Sequence, residues 1–195
     1  MLPASADPSD VAQRLTTFWF GSDDPERAAL RRRQWFRADA GFDSECGMQF
    51  AGECRAAAAG ALDCLAETAD GALALVLLLD QLPRNIYRGR AEAFAQDSKA
   101  RAVAAQAIGR GFDEAVPAEQ RLFFYLPFEH SEDLEDQRRA MALIGGLGDP
   151  ELLHWAERHY AVIARFGRFP HRNRILGRLN TPEEAAFLAV PEGSF

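Results

Sequence analysis

Residues 75–90 read LVLLLDQLPRNIYRGR, and no other stretch narrows the possible folds as much. An apolar run stops at Asp80 and gives way to Gln81, Arg84, Asn85 and Arg88. Leu73, Val76 and Leu77 precede Asp80 by seven, four and three residues, so a helix sets its carboxylate on their apolar face. An unpaired charge buried there is strongly destabilising, so the fold must bring a partner to it. Arg84, four residues on, is the local candidate, and Gln81 and Asn85 form a second pair at the same spacing. Pro83 disfavours the α region at Leu82, so the helix that starts near Asp70 is expected to end or kink there. Free N–H groups after Pro83, beside Arg84 and Arg88, would make an anion cradle. An ion-pair network tying the kink to its neighbours is the competing reading.

The rest of the chain also has helical spacing. Val11, Leu15, Phe18 and Trp19 predict a first helix to about Phe20, with Ser9 or Asp10 as its cap. Asp24-Pro25 opens a second over 26–36, and a third is expected from Asp43 to about Glu67. Further helices follow from Asp97 and from Pro117, the latter ending before Pro127. Ser131 is read as the cap of the next, Asp149-Pro150 opens another to about Phe166, and Thr181-Pro182-Glu183-Glu184 is a capping box. No stretch alternates with period two, so no strand is expected. The fold class is therefore all-α: antiparallel helix pairs in about eight or nine helices, one domain over 1–195.

The net charge of −7 argues against general nucleic-acid binding. The longest apolar run, 72–79, is too short to span a bilayer, and the N-terminus lacks a leader pattern, so a cytoplasmic protein is expected. Cys46, Cys54 and Cys64 lack metal-type spacing and read as reduced thiols. There is no P-loop, dinucleotide fingerprint or GxSxG, and no cofactor is expected.

Two later stretches are as polar as the first. Residues 125–137, YLPFEHSEDLEDQ, carry five acids, some placed where a helix N-terminus favours negative charge. His130 before them could be a base, a ligand or a core histidine. Residues 165–178, RFGRFPHRNRILGR, belong to a segment with six arginines and no acid between Arg158 and Arg178, a local positive field. Those arginines either fold back on the acidic stretch or converge on an anion. His130, Asp133, His159 and His171 could ligate a metal, but no diagnostic spacing supports it and none is expected. Arg84-Asn85 through Gly89-Arg90 and Arg172-Asn173 through Gly177-Arg178 share the pattern RNxxxGR, by duplication or coincidence.

FWFG (18–21), WF (35–36), LLLDQLPRNIYRG (77–89), FYLPFEHSEDLEDQ (124–137) and RFGRFPHRNRILGR (165–178) together resemble an uncharacterised bacterial family, domain-of-unknown-function family 924. The resemblance covers essentially the whole chain. It implies a TPR-like right-handed helical stack and carries no activity.

The chemistry of the three stretches points to a polar pocket for a small anionic molecule or a peptide carboxylate. Asp80, Gln81, Arg84, Asn85, Arg88, Arg165, Arg168, Arg172 and Asn173 are its expected ligand-binding residues. Arg84, Arg168 and Arg172 would bind the anion, and Asp80 and Glu132 would hold the arginines. Should the protein be an enzyme, His130 or His171 would be the acid–base group, with Glu132 beside them. A peptide-interaction module and a purely structural network are the alternatives.

Overall fold

In a computed structural model the structure describes residues 8–21 and 34–190. Every regular element among them is helical, as expected. None of these helices is long and apolar enough to cross a membrane. The chain divides into two compact units, Met1–Arg88 with Glu92–Phe124, and Gly89–Ala91 with Tyr125–Phe195.

In the first unit, α1 (Pro8–Phe20) buries Val11, Ala12, Leu15 and Trp19. It starts at Pro8, so Ser9 and Asp10 lie inside its first turn rather than capping it. The helix expected over 26–36 lies outside the described residues except for Gln34, Trp35 and Phe36. α2 (Ala40–Ala58) starts earlier than expected because Asp39 caps it, accepting the Phe42 N–H at 2.9 Å. Its buried Phe42, Cys46, Phe50 and Cys54 are four residues apart, which makes one continuous apolar edge. Thr68 caps α3 (Ala69–Val76), which is buried from Gly71 to Val76. Burial on all sides marks it as the central helix, packed on α1 and on α5 (Asp97–Gly109). Gly71 is required there: a Cβ would sit 2.2 Å from the Leu65 carbonyl oxygen.

The helix neither ends nor breaks at Pro83. α3 passes through a π turn, Leu77–Gln81, into α4 (Leu82–Ile86), and Leu82 keeps α-helical dihedrals of −59° and −40°. The Leu82 N–H reaches back five residues to Leu77 O. The inserted residue widens the ladder just before a residue that cannot donate to it, and Pro83 falls in the first turn of α4, where no donor is needed. Complete burial of 71–82 outweighs the local preference at Leu82. A short α6 (Phe112–Ala115) follows α5.

The division between the units falls inside α7 (Ala118–Glu129), after Phe124. Pro127 lies within α7 and does not stop it, contrary to expectation. Phe123 through Phe128, Pro127 included, are all buried, and that burial offsets the lost bond to the Phe123 carbonyl. In the second unit α8 (Leu134–Gly145) is capped by Asp133, not Ser131; Asp133 Oδ1 accepts the N–H groups of Glu135 and Asp136. α9 (Pro150–Phe166) is capped by Asp149 as expected and ends on Gly167 at φ 67°. α8 and α9 pack on each other as a helical hairpin. The expected capping box opens α10 (Pro182–Leu188): Thr181 Oγ1 accepts Glu184 N–H at 3.1 Å, and Glu184 Oε2 accepts Thr181 N–H at 2.7 Å. Val162, Ile163 and Phe169 form the core of this unit, with Leu134, Phe166 and Phe187 against them.

Candidate functional site

The π turn carries Asp80 and Gln81 into the interior of the first unit, and Asp80 is 0% exposed. Gln81 Nε2 donates to Asp80 Oδ2 at 2.6 Å, and Arg84 Nη1 lies 3.1 Å from Oδ1. Arg84 also grips both oxygens of Asp97 at 3.0 Å. Burial works against the Arg84 charge, but Asp80 and Asp97 outweigh it and hold its pKa above the usual guanidinium range. One turn on, Asn85 and Arg88 converge on Asp43 of α2: Asn85 Nδ2 at 2.8 Å, Arg88 Nε at 2.7 Å and Nη2 at 2.8 Å. Burial raises the Asp43 pKa, yet these donors overcome it and hold the carboxyl below its ordinary value. The residues expected to cradle an anion in this stretch are thus engaged with carboxylates of the chain.

A second network holds the 165–184 segment. Arg178 donates to Glu132 Oε2 at 2.6 Å and Oε1 at 2.9 Å, to the Phe169 carbonyl at 3.1 Å and to Asn173 Oδ1 at 2.8 Å. Glu132 Oε1 also accepts the Phe169 N–H at 2.8 Å. Asn173 Nδ2 donates to Asn180 Oδ1 at 2.8 Å and to Glu184 Oε2 at 3.3 Å. Arg168 holds both oxygens of Glu184, at 2.6 and 2.8 Å, and Arg165 pairs with Glu183 at the surface. Burial raises the Glu132 pKa, but Arg178 and the Phe169 N–H more than compensate, so it is lowered; Arg168 pulls Glu184 down to about 2. Arg178 and Glu184, both central to this network, were absent from the expected set. The end of the RNxxxGR pattern and the capping box were the sequence signals for them.

The backbone so fixed at Phe169 presents a ring that is 0% exposed and surrounded by basic groups. The Arg172 guanidinium lies 4.4 Å from its centroid, the His171 ring 5.5 Å and the His159 ring 5.6 Å. His159 Nδ1 faces Trp155 O at 2.9 Å and Glu129 Oε1 at 3.0 Å. A carbonyl only accepts, so Nδ1 carries the hydrogen. His130 lies close enough to both rings to act on them electrostatically. Burial pushes the His159 imidazole down to about 3, with His130, Arg172 and His171 adding to the effect. Burial, then Arg172, lowers His171 to about 4. At neutral pH both are therefore neutral rings, each offering one donor and one acceptor. Among the described residues no group of three or more His, Cys, Asp or Glu is arranged to hold a metal ion.

The expected site residues accordingly fall in two places. Asp80, Gln81, Arg84, Asn85 and Arg88 share the first unit; His130, Glu132, Arg165, Arg168, His171, Arg172 and Asn173 share the second. His159 was foreseen only as a metal-ligand candidate, and it is the member that ties α9 to the cluster.

A family model described as "Bacterial protein of unknown function (DUF924)" matches residues 15–192. The solved structure of a protein of unknown function from Agrobacterium tumefaciens, ATU0120, is similar to this chain at 45% identity. The match covers 93% of this chain and 98% of that one, with a TM-score of 0.85. No curated protein matches.

Proposed function

The chain belongs to the DUF924 family of bacterial proteins of unknown function, and from its own geometry we propose that it binds a small anion, a carboxylate or a phosphate ester, in the second unit. The convergence of Arg172, His171 and His159 on the one buried ring of Phe169 carries this reading. Arg172, His171 and His130 contact the ligand. Glu132, Arg178 and Asn173 fix the backbone that presents them. His171, as a neutral imidazole, and His130 beside it supply acid–base capacity should the bound molecule react. The networks of Asp80, Gln81, Arg84, Asn85 and Arg88, and of Arg165 and Arg168, are assigned holding roles, because their donors are spent on carboxylates of the chain.

Thermal unfolding with added phosphate, sulfate, malonate and acetate tests the proposal. A ligand at 100 times its Kd stabilises by about 2.7 kcal/mol. Wild type is expected to gain stability with at least one of these anions, and Arg172→Met to gain none. Equal gains in both proteins, or none in wild type, would refute it.

A peptide-docking reading draws on one observation: Leu179 is 90% exposed on a loop pinned by Arg168 and Arg178. It expects a peptide with a free C-terminal carboxylate to bind and its amide not to.

A further inference from the structure

We infer that the solvent-facing ridge of α2 is a self-complementary docking surface, and that its partner is a second copy of this chain packed antiparallel on it. The ridge lies opposite the buried edge of Phe42, Cys46, Phe50 and Cys54. It consists of Gly41, Glu45, Met48, Gly52, Arg55 and Ala59. All six are exposed, and Met48, near the middle, is 78% exposed. Their steps alternate between four and three residues, an average of about 3.5, the spacing of the seam between two paired helices.

Three features set this ridge apart from an ordinary solvated helix face. Met48 holds a long apolar side chain in water. Gly52 sits in a helix interior, where glycine loses the most backbone entropy. Nothing within the chain requires it, since a Cβ there would meet no atom within 4 Å. The carboxylates flanking the ridge are engaged within the chain, Asp43 by Arg88 and Asn85 and Glu53 by Arg14. The Arg55 guanidinium, by contrast, makes no hydrogen bond or ion pair among the described residues.

The order of the six residues identifies the occupant. A two-fold axis at the level of Phe50 exchanges positions equally far from it along α2. It sets Met48 of one copy against Gly52 of the other, Glu45 against Arg55, and Gly41 against Ala59. The flexible thioether enters the space that the missing Cβ leaves, and each charge meets its opposite, twice by symmetry. A parallel pairing puts Glu45 on Glu45 and Arg55 on Arg55, so charge selects the antiparallel one. The exposed ion pairs set register and orientation, and the Met48–Gly52 contacts bury the apolar surface.

Sedimentation equilibrium on the full chain tests this. One pair of helices lies at the small end of specific interfaces, so the protein is followed up to about 100 μM. The average mass is expected to rise from the 21.6 kDa of the chain towards twice that value. Gly52→Leu fills the hole and should weaken association at least about tenfold. At a dilution where wild type is monomeric, the same substitution should not lower the thermal midpoint, because the added side chain starts into open space. Glu45→Arg and Arg55→Glu should each weaken association to a similar degree, by like-charge contact. An equimolar mixture of these two variants should associate as wild type does, because each new charge then faces its opposite. Wild type that stays monomeric up to about 100 μM would overturn the inference. So would a dimer that survives Gly52→Leu, a Gly52→Leu monomer with a lowered midpoint, or charge variants that do not recover on mixing.

Discussion

Gln137 offers the sharpest test of how the cluster is built. Its side chain is 0% exposed, and Nε2 donates to the carbonyls of Glu129 at 2.6 Å and Ser131 at 2.7 Å, with Phe128 at 3.4 Å. These carbonyls close the buried end of α7, where a helix has no donors of its own left to give. The same turn carries His130. Gln137→Met keeps the volume and removes the donor; Oε1 has no hydrogen-bond partner among the described residues, so nothing is lost on that side. Each buried acceptor left unsatisfied costs about 1–3 kcal/mol, and two strong bonds disappear, so the loss is about 2–6 kcal/mol. That is a large share of a typical domain stability of about 5–15 kcal/mol. Gln137→Glu should be worse at neutral pH, since a carboxylate facing carbonyls repels them, and should recover partly in acid as it becomes a donor. Urea unfolding followed by circular dichroism reads both as a lowered midpoint with unchanged slope. A Gln137→Met protein within about 0.5 kcal/mol of wild type would refute the reasoning.

Stability should fall on acidification before the carboxylates titrate. The folded-state pKa values of His159 and His171, about 3 and about 4, lie below the ordinary 6.5, so the unfolded chain binds more protons below that value. Their contribution is complete above 6.5 and is lost as pH falls towards about 4 for His171 and about 3 for His159. Each ring contributes at most about 1.4 kcal/mol per pH unit, and Glu129 beside His159 offsets part of this, so pH 7 to 5 should cost about 2–4 kcal/mol. Urea midpoints unchanged over that range would contradict it. In the first unit, Arg84→Met leaves Asp80 buried without its main counter-charge and should cost about 3–5 kcal/mol, whereas Arg88→Met at a side chain 45% exposed should cost about 1 kcal/mol. Equal losses in the two variants, measured by the same unfolding curves, would show that burial is not what separates them.

Local signals were legible in the sequence; those that depend on burial were not. Asp149-Pro150 and Thr181–Glu184 cap their helices as read, because capping involves only residues within one turn. Pro83 was expected to end or kink its helix and Pro127 to end one; Pro83 instead falls in a first helical turn that needs no donor, and burial around Pro127 offsets its missing bond. Ser131 was read as the cap of α8, and Asp133, two residues on, was not considered for it. Asp133 takes the role, and Ser131 Oγ instead donates to Asp136 at 2.7 Å. His159 was read only as a possible metal ligand, because its place beside Phe169 depends on the 169–172 turn folding back against α9. The RNxxxGR pattern acquires structural content. In each copy the asparagine donates to a carboxylate of another element, Asp43 or Glu184, and the glycine is left-handed, Gly89 at φ 79° and Gly177 at φ 67°.

The central claim is that an anion sits among His130, His171 and Arg172. The chain has four histidines, so its imidazole resonances can be followed individually by NMR during a titration with sulfate or phosphate. His154, exposed on α9, is the internal control. Saturable movement of the His130 and His171 signals, with His154 unmoved and the effect lost in Arg172→Met, is the predicted result. Stationary His130 and His171 signals at saturating anion, or movement of His154 alone, would contradict the account.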